Sequence, residues 1–291
     1  MSENVITSYK GFDKNMECRG FKYEVGKEYE MDGEIKCCNR GFHACKSPIE
    51  VWDYYDMLNS RFAEVEQSGK IDEEEKSTKI CSSRIKIKAE LKLADIINIG
   101  VEWLKDITSP SKIKEDGVLN DNGYRRKQIG SSGDYAQIGS SGNSAKIGSS
   151  GNSAQIGSSG YSAKIGSSGY SAKIGSSGDS AQIGSSGDSA QIGSSGDSAQ
   201  IGSSGDSAQI GSSGDYAQID STGEDSVIMC AGNESKAKAK VGSWITLAEW
   251  KWSDEKNRNV PVCVKTEYVD GENIKADTWY QLKNGKFEVN E

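Results

Sequence analysis

Ile recurs at every ninth position from Ile129 to Ile219, and Ile228 continues the series. No other feature limits the fold so tightly. The unit reads Ile-Gly-Ser-Ser-Gly-(Asp/Asn/Tyr)-Ser-Ala-(Gln/Lys), and triplets such as Ala181-Gln182-Ile183 alternate apolar and polar residues, as a strand with one buried face does. The Gly-Ser-Ser-Gly-Asp portion supplies a turn, where two glycines permit positive φ and Asp or Asn bonds to local backbone. One unit alone gains only ~2–4 kcal/mol from burying Ile and Ala, against roughly 1–2 kcal/mol of backbone entropy for each residue. The units must therefore stack, Ile on Ile and Ala on Ala, with strand amides paired between neighbouring coils.

The spacing predicts a parallel β-solenoid over 128–235, because a flexible Gly/Ser linker has no need of apolar residues at a fixed interval. Two units per turn give about six coils and a flat two-sheet rod of roughly 29 Å at ~4.8 Å per coil. Three units per turn would give a shorter, triangular rod, and the thin Ala/Ile interior favours the flat form. Calcium-binding nonapeptide repeats, Gly-Gly-x-Gly-x-Asp-x-apolar-x, place Asp one residue later than this unit does. Tyr161 and Tyr170 also stand where other units have Asp. Tyr cannot replace a calcium ligand, so no metal is expected in these turns.

The variable turn residues are the candidate contact positions of the rod. With two units per turn, Asp188 and Asp206 line one edge with Glu224, and Asp179, Asp197 and Asp215 line the other. Tyr161 and Tyr170, beside Lys164 and Lys173, are expected to form an amphipathic patch. A regular acidic ladder suggests a DNA mimic as an alternative function. Its charge density is lower than that of duplex DNA, about one per 2.4 Å against about one per 1.7 Å.

Of 34 glycines, 22 lie between Gly130 and Gly232, whereas every Trp, Phe and Pro lies outside that stretch. Ordinary globular segments therefore flank the array, which excludes a single large enzyme domain. The expected architecture is mainly β: an α+β domain over 1–92, an amphipathic helix and N-terminal cap over 93–127, the solenoid over 128–235, and a cap with a small antiparallel β domain over 236–291. Strands are expected at Val5 to Tyr9, Arg61 to Val65 and Arg84 to Ala89. Ser47-Pro48 opens a helix through Tyr55, and Leu93, Ile96, Ile97, Val101, Leu104 and Ile107 recur at helical spacing. Lys236-Ala237-Lys238-Ala239-Lys240 reads as a charged terminal cap. Asn284-Gly285 and Asp270-Gly271 read as hairpin turns.

The net charge of −8 is spread along the chain and argues against direct nucleic-acid binding. No run approaches a membrane span of ~18 apolar residues, and no basic and apolar leader opens the chain. A cytoplasmic location is expected, with the seven Cys as reduced thiols. The sole histidine, His43, lies in Gly41-Phe42-His43-Ala44-Cys45. With Cys37, Cys38 and Cys45, and with Cys18 as a further donor, it forms a candidate zinc set, although no Cys-x-x-Cys pair is present. Packed structural residues are the simpler reading, and neither a metal nor a cofactor is required.

Tyr9-Lys10-Gly11-Phe12, Cys18-Arg19-Gly20-Phe21, Gly26, Gly41-Phe42-His43-Ala44-Cys45 and Arg61-Phe62, followed by the Gly/Ser-rich array, resemble a family of phage and prophage proteins. The resemblance covers most of the chain and implies a bacterial host cytoplasm or virion, without implying an activity. A fainter likeness is to ADP-ribosyltransferases, in which Lys10-Gly11 would hold the first motif, His43 with Tyr54 or Tyr55 the second, and Glu64 or Glu66 the third. Lys10 departs from the Arg or His of that family. The preferred expectation is a non-enzymatic, phage-type binding protein. Its rigid solenoid would display flanking recognition domains to a protein of the host or virion, with inhibition of a host defence or nucleic-acid enzyme as the expected outcome. Self-association is compatible with this reading, and an N-terminal NAD-dependent transferase is the enzymatic alternative.

Overall fold

A computed structural model describes residues 5–74, 77–107 and 128–290. The chain divides into two compact parts, Met1–Trp103 and Leu104–Glu291. Among the described residues of the first, seven strands precede helix α1 (Leu93–Ile107), which starts in this part and runs past its boundary: β1 (Ile6–Phe12), β2 (Glu17–Cys18), β3 (Phe21–Lys22), β4 (Glu28–Glu30), β5 (Phe42–Cys45), β6 (Arg61–Glu73) and β7 (Lys79–Leu91). β1, β5, β6 and β7 pair antiparallel in the order β7-β5-β1-β6, and β6 also pairs with β7, so the sheet closes on itself. Phe12, Phe42, Ala44, Ala63, Val65, Ile85 and Ile87 form the core beneath it.

The helix expected after Pro48 is a short 3-10 turn, Ile49–Asp53. Its Ile49 packs against Gly100 of α1, where a Cβ would collide with that side chain. Residues 108–127, the remainder of the expected N-terminal cap, lie outside the described residues.

Among the described residues, the second part is a solenoid of seven coils. Strands follow at nine-residue intervals from β8 (Gln128–Ser131) and β9 (Gln137–Ser140) to β18 (Gln218–Ser221) and β19 (Val227–Cys230), then β20 (Lys236–Lys238) and β21 (Trp244–Ser253). Alternate strands form two parallel sheets in which residue i pairs with i+18, as in Ile165 with Ile183 and Ile183 with Ile201, except between β19 and β21, where the offset is 17. Two units therefore make one coil. From Ala145 to Ile228 the Ile and Ala residues are buried in one continuous interior, and Ile129 and Ile138 of the first coil are partly buried against it.

Ser shares that interior. Ser149, Ser167, Ser185 and Ser203 are fully buried, in a column beside the Ile column. The turns also differ from expectation, because their glycines do not take positive φ. The Ser after the variable residue does, for example Ser189 at φ 55 and Ser198 at φ 56. Its N–H donates to a carbonyl of the next coil, as from Ser189 to Asp206 at 2.8 Å. The glycine before the variable residue serves close approach, since a Cβ on Gly187 would strike the Gly169 carbonyl beneath it.

The C-terminal residues extend both sheets rather than forming a separate one. β22 (Arg258–Tyr268) pairs antiparallel with β21 on the second sheet, and β23 (Tyr280–Lys283) joins β20 to β24 (Lys286–Val289) on the first. Asn284-Gly285 is the β23–β24 turn, with both residues at positive φ. Asp270-Gly271 is not a hairpin: it opens a loop in which the Asp270 carboxylate accepts N–H groups from Glu272, Asn273 and Ile274. The lysines of 236–240 are not a bare cap either. Lys236 and Lys238 lie over the Trp279 ring, Lys238 pairs with Asp220 at 3.0 Å, and Lys240 pairs with Asp277 at 2.7 Å.

Candidate functional site

β1 alternates Ser8, Lys10 and Phe12 toward the closed sheet's interior, so Lys10 occupies a core position. It is 3% exposed. Its ammonium donates to the His43 carbonyl at 2.9 Å, lies 3.6 Å from Cys18 Sγ, and sits over the Phe12 and Tyr23 rings. Burial holds its pKa below the ordinary lysine value, because a charge is disfavoured where water is excluded. Tyr55 Oη meets Cys18 Sγ at 2.9 Å, and burial pushes the Tyr55 pKa up.

These groups line a cleft of about 1140 Å³. Its aromatic wall is an edge-to-face cluster, with Phe21 4.8 Å from Tyr23 and 5.2 Å from Tyr29, centroid to centroid. Arg19, His43, Tyr54 and Lys79 also border it. Burial first, then the cations Lys10, Arg19 and Lys79, hold His43 below its ordinary pKa. A neutral imidazole is the result at neutral pH, with Nε2 accepting the Cys38 N–H at 3.0 Å.

The residues named for a transferase do not assemble. Lys10, His43 and Tyr54 border the cleft, whereas Glu64 and Glu66 do not. The pairing of Tyr9 with Glu64 and Lys10 with Ala63 puts Glu64 on the opposite face of the sheet from Lys10. Glu66 is held by Lys88 at 2.7 Å.

The predicted zinc set is regrouped. Cys37 and His43 lie together, and the third donor is Cys81: their ligand atoms all lie within 4.8 Å of one another. Cys38 is exposed and bound by Lys79 at 3.0 Å, and Cys45 is buried outside the group. Cys81 stands directly opposite His43 in the β5–β7 pairing, a relation invisible until the register is known. Burial pushes the Cys37 thiol up, and burial with the Cys37 hydrogen bond pushes Cys81 up to about 12.

On the rod, the variable residues form two columns. Asp188 and Asp206 stand under Glu224, and Asp179, Asp197 and Asp215 stand under Asn233, each carboxylate accepting the N–H of the residue 18 positions on, at 2.8–3.0 Å. Asn143 and Asn152 do the same for Tyr161 and Tyr170. The acidic ladder therefore has a structural role in the coils that carry it. Tyr161 and Tyr170 do not form one patch, because the connection before a first-sheet strand and the one before a second-sheet strand lie on opposite edges. Lys164 is buried, whereas Lys173 is exposed.

One further surface was not anticipated. Outward Gly139, Gly157, Gly175 and Gly193 of the second sheet have nothing within 4 Å of a Cβ position, and they floor a groove of about 1090 Å³ bordered by Gln155, Lys173, Gln191 and Gln209. At β19 the Gln and Gly positions become Val227 and Met229, and Trp244 follows on β21. Trp244 packs on Tyr268 of β22 with ring centroids 5.1 Å apart. Val227, Met229, Trp244 and Tyr268 are 52%, 52%, 47% and 43% exposed.

Fold and sites together describe a β-solenoid protein carrying an N-terminal α+β domain. Residues 6–99 match a family profile described as Domain of unknown function (DUF7666). No curated protein and no solved structure matches the chain. No described helix is long and apolar enough to cross a membrane.

Proposed function

We propose that this is a non-enzymatic binding protein in which the solenoid is a stiff scaffold and its second sheet offers a recognition surface to a protein partner. The observation that carries this reading is the change of the outward column from Gln and Gly to Val227, Met229 and Trp244. A contiguous exposed apolar patch at the end of a groove bordered by Gln and Lys is the usual mark of an interaction site. Nothing in the repeat's own stacking requires those residues, because their inward neighbours Ile228 and Ile245 already fill the interior. Enzymatic transfer is disfavoured by the separation of Glu64 and Glu66 from the cleft, and DNA mimicry by the engagement of the turn carboxylates with backbone.

The partner in this proposal is a protein of the bacterial host or the virion, and inhibition of a host defence or nucleic-acid enzyme is the proposed outcome. Support for that setting is the resemblance of the N-terminal motifs to phage and prophage proteins, and the proposed location is the host cytoplasm. A photo-crosslinking residue at position 229 tests the surface, with the same residue at position 157 as a control in the polar groove. The expected result is a discrete adduct in bacterial lysate from position 229 alone, lost when Trp244→Glu is added. Equal labelling from both positions, or adducts indifferent to Trp244→Glu, contradicts the reading. An adduct of twice the chain mass in purified protein would identify the partner as a second copy.

A further inference from the structure

We propose that Cys37, His43 and Cys81 form a binding site for a soft divalent transition metal of the zinc class, with water at a fourth position. Three separate segments converge on it. His43 and Cys81 face each other across the β5–β7 pairing. Cys37 is brought in by a turn anchored to β6, where its N–H donates to Asp72 Oδ2 at 2.8 Å and its Sγ donates to the Asp72 carbonyl at 3.2 Å. Asp72 is itself opposite Cys81 on β7.

The geometry is near what the ion needs. Ligand bonds of about 2.0–2.3 Å in a tetrahedral sphere put donor atoms roughly 3.3–3.8 Å apart. The three donor atoms lie within 4.8 Å of one another, so closure requires at most about 1.5 Å of movement in any pair. Two sulfurs and an imidazole suit zinc and exclude calcium or magnesium, which take oxygen. Gly41 fits the same construction: at φ 138, a Cβ there would meet Cys81 Sγ at 3.2 Å and crowd the site.

His43 presents its lone pair at Nε2, which accepts only the Cys38 N–H. Cys38 lies in the exposed turn between Lys36 and Arg40, so water can take over that N–H when an ion takes the lone pair. Cys37 and Cys81 bind as thiolates, each releasing one proton, and no electron moves. Three protein ligands leave a position for water. Because His43, Cys38 and Gly41 border the aromatic cleft, the ion would sit at its rim.

The test uses the full chain, reduced and stripped of metal, titrated with Co2+ and then Zn2+. One equivalent of cobalt should give tetrahedral ligand-field bands with sulfur-to-cobalt charge transfer, and Zn2+ should displace it. Cys37→Ser and His43→Asn should each weaken zinc binding by roughly tenfold or more, whereas Cys45→Ser and Cys263→Ser should bind as the parent does. Cys81→Ser changes a fully buried residue, so the half-buried Cys37 and His43 variants, checked by circular dichroism, carry the result. An octahedral cobalt spectrum, no charge transfer, or zinc affinity unchanged in Cys37→Ser and His43→Asn overturns the site.

Discussion

Ile183 in the solenoid has Ile165 below it and Ile201 above it, and the same contact recurs along the rod. In the N-terminal domain Lys10, Phe12 and Tyr23 meet once. Stability in the rod is therefore a sum over like interfaces, and an error in one coil is felt mainly by its two neighbours. In the domain a single residue can combine packing, charge and cleft chemistry. Repetition builds a frame of great regularity, whereas chemistry collects where nothing repeats.

Substitutions can break this contrast at graded cost. Ile183→Ala removes a fully buried side chain between two copies of itself, and a loss of about 2–5 kcal/mol is expected in denaturant unfolding of the rod. Gly187→Ala drives a Cβ into the Gly169 carbonyl and should cost about 1–3 kcal/mol through forced separation of coils. Gly175→Ala, which has open space around it, should cost far less. Equal losses at the two glycines would show that backbone conformation, not coil approach, selects them.

Lys10→Met tests the unrepeated region. The folded-state pKa of Lys10 lies below its ordinary value of 10.5, so its neutral form favours folding. That contribution is full above pH 10.5 and is lost as pH falls through the folded value. Met fills similar space without the charge, so the variant should be more stable at neutral pH by about 1 kcal/mol or more and lack this pH slope. Destabilisation would mean that the His43 carbonyl and the two rings outweigh desolvation.

The smallest expected effect is in the turns. Asp206→Ala leaves the Glu224 N–H without its 2.8 Å acceptor and should cost about 0.5–1.5 kcal/mol, whereas Asp206→Asn keeps an acceptor and most of the stability. Equal losses in Asn and Ala would indicate that charge, not the hydrogen bond, matters.

The rod was legible because Ile and Ala occupy its interior in register with the sequence period, and period is what stacking requires. Asn284-Gly285 was legible because its turn needs positive φ at both positions. The inward Ser column was not, since Ser reads as a turn residue, and neither was the left-handed Ser that the glycines were expected to replace. Tyr161 and Tyr170 are neighbours in the series of units but not in space, because successive connections alternate edges. Asp270-Gly271 misled for another reason: its carboxylate ties a loop. Cys81 carries no local pattern at all, and only the register of β7 against β5 brings it to His43.

The central claim is that the Gly-rich middle is a stiff stack. Spin labels on non-cysteine anchors at positions 139 and 246 test it directly, because six strand steps separate them along the second sheet. At ~4.8 Å per step the account predicts a narrow distance distribution near 29 Å. A Gly/Ser coil of that length would instead give a broad distribution centred at roughly 50–60 Å, and that result would contradict it.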